Sequence, residues 1–434
     1  MRLVARAGGP LTGEAIIPGD KSCSHRALIF GAMAAGETRI EGLLESADVM
    51  ATARAVVALG ATVERQTQGE WLVAGVPWRS PAGPIDCGNS GTAARLLAGA
   101  IAGMEGVTVT LTGDESLSAR PMRRVIAPLE RMGARIDGGE RLPLTIHGQR
   151  LGGIVHCNVP ASAQVKSAIL LAGLGTSAPV EIVEPVPSRD HSEIMLRQFG
   201  CAVGIEQGAE GLTVVLGTAR TLTATRLAIG GDPSSAAFPL IAAAIIPGSS
   251  IVVRGINVNP LRTGLYETLE AMGADFVLDH ERLQSGEPIA DMHVAHAPLR
   301  PCHVRADSIP AMVDEIPALA MACALADGES VIEGLSELKV KESDRLGAIV
   351  AGLAACGVVA IVEGDALHIF GRGAVRGGGR IVTHGDHRIA MAFLTLGLAA
   401  QQPVDVDQAG MIATSFPGYA EAMRSIGARI EEAG

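Results

Sequence analysis

Residues 56–63 read VVALGATV: an apolar helical stretch, a stop at Gly60, then a β-rich tail. The same phrase returns five times, as LERMGARI (129–136), LRQFGCAV (196–203), LEAMGADF (269–276), LAACGVVA (353–360) and MRSIGARI (423–430). Its glycines, Gly60, Gly133, Gly200, Gly273, Gly357 and Gly427, lie 73, 67, 73, 84 and 70 residues apart. A glycine between a helix and a strand is the residue expected in a left-handed C-terminal cap. One match decides little. Six at near-constant spacing mark a repeat of one supersecondary unit.

A second pattern alternates with the first. AAGETRIEGL, IAGMEGVTVTLTG, LGTSAPVEIVEP, IIPGSSIVVRGI, LADGESVIEGL and AAQQPVDVDQA each carry a helix end through a turn into a short strand. A repeat therefore reads helix, turn, strand, polar loop, helix, Gly, strand, commonly with one strand more. The leading helices begin at KSCSHRALIF, GNSGTAARLL, SAQVKSAILL, DPSSAAFPLI, VDEIPALAMA and GDHRIAMAFL. They are apolar enough to be buried on most of their circumference. Strands such as TRIEGL and SVIEGL alternate, which predicts sheets with one solvated face. The expected architecture is α/β: six units of buried helices and outer strands, three to a domain. A short opening strand over 11–17 precedes the first unit, and the midpoint falls near Gly230–Pro233. The spacing leaves open which half the opening strand joins.

The 434 residues suit two domains, and with 48% hydrophobic and 19% charged residues the chain can bury a sizeable core. A net charge of −11 and 3% aromatics argue against a surface for nucleic acid. Seven cysteines are scattered through apolar segments without a C-x-x-C pair, so buried reduced thiols and a cytoplasmic location are expected. The N-terminal ten residues lack the apolar core of a signal peptide. The uncharged runs Ala236–Val253 and Leu346–Val362 are broken by Pro247-Gly248 and Gly357, and read as buried helix then strand rather than membrane spans.

Only four of the 35 cationic residues are lysine: Lys21, Lys166, Lys339 and Lys341. All four fall in or beside the turns that open helices. Arginines join them: Arg26, Arg95, Arg120, Arg123, Arg124, Arg189, Arg345 and Arg388, with Pro121 read as an early helical residue. The helix dipole disfavours cations in a first turn, by about 0.3–1 kcal/mol each. Any one of them can be paired by a nearby carboxylate, and Asp20, Asp190, Glu342, Asp344 and Asp386 are at hand. The set as a whole is explained more economically by helix N-termini and cations converging on strongly anionic ligands. Ser22, Ser24, Asn89, Ser90, Ser162, Ser234 and Ser235 are candidate N-caps or phosphate donors. Asp314, Glu315 and Glu342 stand among the cations, as charge compensation or as acid/base groups. His25, His191, His384 and His387 are candidate proton carriers. The chain has no H-E-x-x-H, no paired Cys/His ligand spacing, no P-loop and no nucleophile elbow, so metal, ATP-type and acyl-enzyme chemistry are not indicated.

GDKSCSHR (19–26), GNSGTAAR (88–95), SLSARPM (116–122), SAQVKSA (162–168), GDPSS (231–235), KVKESDR (339–345) and GDHRIAM (385–391) together resemble the 5-enolpyruvylshikimate-3-phosphate synthase family, in order and over the whole chain. The resemblance implies an α/β fold of the enolpyruvyl transferase type: a two-domain inside-out α/β barrel of six βαβαββ units. It implies one domain over 21–231, mainly for shikimate 3-phosphate. The other, 1–20 plus 232–434, would serve phosphoenolpyruvate and the acid/base residues, with the active site in a cleft that closes on the substrates. The implied reaction moves the enolpyruvyl group of phosphoenolpyruvate to the 5-hydroxyl of shikimate 3-phosphate and releases phosphate, through a tetrahedral intermediate and without a metal or other cofactor. That step leads to chorismate and the aromatic amino acids.

Residue by residue, the resemblance gives Lys21 contacts to both substrates. Ser22, Arg26, Ser162, Ala163, Gln164, Ser188, Arg189, Asp314 and Lys341 would hold shikimate 3-phosphate. Asn89, Gly91, Arg120, Gln164, Arg345 and Arg388 would hold phosphoenolpyruvate. Glu342 would move the proton at the methylene carbon, Asp314 would orient or deprotonate the 5-hydroxyl, and His387 would support the transferred group. No nucleic acid, membrane or protein partner is implied, and a monomer is expected. Two positions depart from the pattern of some members: Thr414 stands where they carry Lys, and Asp314 precedes the Ile316-Pro317 pair where they place Asp after it, at Ala318. The combination resembles the bacterial class that includes glyphosate-tolerant enzymes. Gly91, where tolerant members can carry Ala, leads us to expect inhibition by glyphosate. The related transferase acting on UDP-N-acetylglucosamine usually has Lys-Asn at its first helix and a loop Cys. Here Lys21 is followed by Ser22, and the loop Gly113–Met122 has no Cys. A non-catalytic anion-binding protein is the remaining rival, and carboxylates among the cations argue against it.

Overall fold

The computed structural model describes residues 1–433. All six repeat glycines close a helix in the same way. The Gly60 N–H donates to Val57 O and the Ala61 N–H to Val56 O, and the equivalent two bonds recur at Gly133, Gly200, Gly273, Gly357 and Gly427. The six φ angles are all positive, from 83° to 115°. This is the Schellman cap, with its 6→1 and 5→2 bonds. An L side chain would cost about 1–2 kcal/mol there, so the sequence repeat is a repeat of backbone geometry.

The strands form six four-stranded sheets, each with one parallel edge pair beside antiparallel pairing. In the second repeat Ile85–Asp86 runs parallel to Thr108–Thr112, which pairs antiparallel with Leu144–His147, itself antiparallel to Arg135–Gly138. The helices Gly91–Ala102 and Arg123–Arg131 lie between these strands in the chain, which makes the unit βαβαββ. Three sheets complete themselves with distant strands. Arg226–Ala228 is the parallel edge for Gly36–Glu41. The opening strand, Thr12–Ala15, is the parallel edge for Ser250–Asn257. Leu3–Arg6 inserts between Val404–Val406 and Arg429–Glu432.

The chain divides into two compact units. One comprises Gly19–Ile229 with the turn Gln284–Glu287, and the other Met1–Pro18, Gly230–Leu283 and Pro288–Gly434. The turn's membership is a feature that the repeat pattern does not contain. Each unit has its own core, built on three of the apolar helices. In the first these are Lys21–Met33, Gly91–Ala102 and Ala163–Gly173; in the second, Pro233–Ile245, Ile316–Leu325 and His387–Ala399. Every residue of Pro233–Ile245 is buried. The uncharged runs resolve into helix then strand, as Pro233–Ile245 with Ser250–Asn257 and Arg345–Ala355 with Val359–Glu363. Among the described residues no helix is long and apolar enough to cross a membrane.

Several expectations need correction. Cys157 is exposed and Cys302 half-buried, so five of the seven free thiols are buried rather than all. Of the proposed Ser and Asn caps, only Ser90 and Ser162 cap a helix. The helices at Lys21, Pro233 and His387 are capped by Asp20, Asp232 and Asp386 instead. A carboxylate both accepts the orphan N–H and meets the dipole with negative charge, which suits first turns that carry cations. Pro121 is not an early helical residue. Arg120 is extended, as the residue before a proline prefers, and the helix begins at Arg123.

The first core depends on a close helix crossing. A Cβ on Gly99 would stand 2.2 Å from Ala168 O and 2.5 Å from Ala168 Cα. Gly99→Ala should therefore lower the unfolding free energy by about 1–3 kcal/mol, overriding the gain of up to ~1 kcal/mol that alanine usually brings to a helix. A urea midpoint equal to or above that of the parent would refute it.

His25 lies in the same core, fully buried. Its Nδ1 is 2.7 Å from Thr52 Oγ1 and its Nε2 3.4 Å from Ser90 Oγ. Burial first, then the charges of Lys21 and Arg26, hold its pKa well below 6.5. It is thus a neutral structural group, not a proton carrier. The unfolded chain binds this proton more readily, so the contribution to stability is complete above about pH 6.5 and falls as the pH drops towards the depressed value. The slope is at most about 1.4 kcal/mol per pH unit. His25→Asn should flatten the fall in melting temperature between pH 7 and pH 5, and parallel curves would exclude the assignment.

Candidate active site

In the unit Gly19–Ile229 the expected residues gather at the N-termini of the three buried helices. Lys21, the first residue of its helix, pairs with Asp48 at 2.9 Å. One turn on, the Arg26 guanidinium donates to Ser192 Oγ, Ser167 Oγ and Ser22 O at 2.8–2.9 Å. Burial lowers the Arg26 pKa, against the pull of Cys23, Asp20 and Glu193, and the like charge of Arg189 adds to the lowering. Lys21, Arg26 and Arg189 therefore share one electropositive neighbourhood.

A second cluster surrounds Gly91. Arg120 donates to Asn89 Oδ1 at 2.7 Å, and Asn89 donates to Asp114 at 2.8 Å. Arg95 donates to Gln164 Oε1 at 3.0 Å, while the Gln164 amide donates to Thr92 Oγ1 at 3.0 Å. A Cβ on Gly91 would lie 2.5 Å from Arg95 Nη1 and 3.3 Å from Arg120 Nη1, so both guanidinium groups stand against this backbone. The structure thus joins Asn89, Gly91, Arg120 and Gln164. It adds Arg95, which the sequence places among the cations without a role.

Lys166 turns away from such a site. Its side chain is 1% exposed, and its Nζ lies 2.7 Å from both Glu184 and Glu193. It also donates to Ser188 O at 3.0 Å. Burial alone would lower its pKa, but the two carboxylates raise it above the usual lysine value. This lysine is a paired core charge. The same network fixes two expected substrate contacts: Ser188 Oγ donates to Glu184 at 2.5 Å, and Asn158 bridges Glu184 to Ser162 O. Ala163 begins the helix that Ser162 caps.

In the other unit the centre is Arg345, fully buried at the start of the helix Arg345–Ala355. Its Nε donates to Asp386 at 2.8 Å, Nη1 to Asp314 at 3.4 Å, and Nη2 to Glu342 at 2.5 Å and Asp386 at 3.4 Å. Four of its five N–H donors are engaged. Burial opposes the charge, but Asp386, Glu342 and Asp314 raise the Arg345 pKa above the arginine value. Lys341 Nζ reaches Asp314 at 3.4 Å. Arg388 donates from Nη1 to Asp314 O at 3.0 Å and from its backbone N–H to Asp386 at 2.9 Å. His387, between Asp386 and Arg388, is buried. Asp314, Lys341, Glu342, Arg345, His387 and Arg388 thus come together around one buried guanidinium, with Asp386 as a member that the sequence marks only as a charge partner. Lys339 lies in the last turn of the short helix Ser336–Val340 and is exposed. Thr414 donates to Met411 O at 2.7 Å and is buried, and Ala318 lies inside a buried helix.

The EPSP synthase (3-phosphoshikimate 1-carboxyvinyltransferase) family profile matches residues 5–423. The chain is 51% identical over 432 residues to the 3-phosphoshikimate 1-carboxyvinyltransferase of Phenylobacterium zucineum, covering 99% of this chain and 95% of that one. It is 50% identical over 439 residues to that of Caulobacter vibrioides, covering 99% of each. Among solved structures, the EPSP synthase of Acinetobacter baumannii superposes with a TM-score of 0.86 at 40% identity over 99% of each chain. The enolpyruvyl transferase NikO of Streptomyces tendae shares the fold, with a TM-score of 0.79 at 19% identity over 99% of this chain and 98% of that one. With six βαβαββ units, cationic helix N-termini and this similarity along its whole length, the chain belongs to the EPSP synthase family, the enolpyruvyl transferases of the shikimate pathway.

Proposed function

We propose that the chain joins phosphoenolpyruvate to the 5-hydroxyl of shikimate 3-phosphate with the residues described above. The observation that carries the reading is the Arg345 cluster, where three carboxylates and the cations Lys341 and Arg388 share one site. Cations alone would suit an anion-binding protein. Carboxylates weaken anion binding; Asp386 caps a helix and holds Arg345, while Asp314 and Glu342 beside it suit a site where protons move.

Lys21, Ser22, Arg26, Arg189, Ser162, Ala163, Gln164, Ser188 and Lys341 take the shikimate phosphate and ring hydroxyls. Asn89, Gly91, Arg120, Gln164, Arg388 and the remaining Arg345 donor take phosphoenolpyruvate, and Lys21 touches both. Asp314 orients the 5-hydroxyl and accepts its proton as the oxygen attacks C2 of phosphoenolpyruvate. Glu342 delivers a proton to C3, which turns the methylene into a methyl group and completes the tetrahedral intermediate. Glu342, now a carboxylate, takes back one methyl proton and re-forms the double bond as the C2–O bond to phosphate breaks, the departing phosphate carries off the proton held by Asp314, and His387 supports the group in transfer. Arg345 keeps both carboxylates in place through the cycle. Seven free thiols, five of them buried, support a cytoplasmic enzyme.

Phosphate release should require shikimate 3-phosphate with phosphoenolpyruvate, and UDP-N-acetylglucosamine should not replace the acceptor. Release only with the nucleotide sugar, or with neither, would overturn the reading. Glu342→Gln keeps the bond to Arg345 but removes the transferable proton, and should lower kcat by about 10²–10⁴-fold with little change in KM. Lys21→Arg retains charge and changes donor geometry, so a loss approaching that of Lys21→Ala would show that a compact ammonium is required.

Glyphosate should compete with phosphoenolpyruvate, because Gly91 leaves the space that a Cβ would take from Arg95. An inhibition constant far above the KM for phosphoenolpyruvate would contradict this.

A further inference from the structure

Beneath the first turn of the helix Lys21–Met33 lies a group that the reaction does not use. Asp20, Cys23 and His191 each present one ligand atom, and these atoms lie within 4.8 Å of one another. All three residues are buried, at 0%, 3% and 0% exposure. They belong to a single unit of the chain, together with Glu287. The His191 imidazole is oriented from behind: its Nδ1 is 2.7 Å from Glu287 Oε1. Its other nitrogen, Nε2, is fully buried and has no hydrogen-bond partner. Cys23 Sγ stands 4.0 Å from the same Glu287 oxygen. A buried ring nitrogen without a partner is costly unless something fills the position.

We propose that this cluster is a binding site for a divalent metal of zinc type, with Asp20, Cys23 and His191 Nε2 as protein ligands and Glu287 as the carboxylate that fixes the imidazole. The donor set is one oxygen, one sulfur and one nitrogen, which suits Zn²⁺ and leaves a fourth position for water. The Glu287–His191 pair is the carboxylate–histidine arrangement that stands behind metal-bound imidazoles. On binding, the Cys23 thiol gives its proton to solvent and the sulfur bonds as thiolate. Residues 20, 23 and 191 share no local ligand motif, so the fold alone assembles the set. None of the three ligands has a role in the proposed transfer reaction, although Asp20 and Cys23 flank Lys21 and Ser22 in the chain.

The test uses the full chain, stripped with a chelator and then dialysed against Zn²⁺ or Co²⁺. One equivalent of zinc should bind, and the cobalt form should show a near-ultraviolet thiolate-to-metal absorption. Cys23→Ser should abolish that absorption, and Cys23→Ser and His191→Gln should each bind zinc at least tenfold more weakly. Glu287→Gln should weaken binding by about 10–100-fold. Zinc should raise the melting temperature of the parent but not of Cys23→Ser. Cys157→Ser, which removes the exposed thiol, should leave all readouts unchanged. Retention of the cobalt absorption in Cys23→Ser, its loss in Cys157→Ser, or no zinc bound by the parent would each overturn the proposal. Far-ultraviolet circular dichroism identifies any variant that fails to fold, and the parent's own stoichiometry decides the matter if the His191 variant does so.

Discussion

A helix buried on all sides can carry charge only at its ends. That constraint organises the molecule. Pro233–Ile245 has no solvated face at all, and the other five leading helices are nearly as enclosed. Sheets wrap them, and the turns that open them are the natural place for polar chemistry. Lys21, Gly91, Ala163 and His387 are all first residues of such helices. The residues proposed for function are thus concentrated at the helix ends, because packing leaves polar groups few other places near the core.

The same constraint creates an electrostatic problem, and the structure shows how it is met. Cations at helix N-termini oppose the dipole. Asp20 and Asp386 cap the helices beside Lys21 and Arg388, and Asp386 also holds Arg345. Asp48 meets Lys21. Arg26, Arg95, Arg120 and Arg388 donate to neutral oxygens, and Arg345 to carboxylates.

How much of this is legible in the sequence depends on the range of the interaction. The Schellman glycines are a local backbone requirement, so they repeat visibly, and with them come the unit count and the positions of the buried helices. The gathering of Asp314, Lys341, Glu342, Arg345 and Arg388 is legible only through the resemblance of the motifs. Lys166 shows the limit of reasoning from position. It looks like its neighbours at the helix opening, yet Glu184 and Glu193, 18 and 27 residues away, claim it as a core charge. Asp48 is missed, and Arg95 is left among the cations without a role, for the same reason: their partners are set by helix packing. Caps fail differently, because Asp, Ser and Asn are near equivalents in that position, and the geometry selects among them.

The strands Leu3–Arg6 and Thr12–Ala15 complete sheets whose other members are synthesised much later. Leu3 faces Val406 and Glu432, and Thr12 faces Ser250. The unit Gly19–Ile229 finds nearly all its partners within its own stretch of chain. In the other, Thr12–Ala15 stays unpaired until Ser250–Asn257 has emerged from the ribosome, and Leu3–Arg6 until Val404–Val406 and Arg429–Glu432 have. Order of synthesis and order of closure are therefore opposed for Leu3–Arg6, which precedes both of its partner strands by about four hundred residues. Unpaired strand edges are sticky in that interval. The four-residue length of each strand keeps that exposed edge short during the wait.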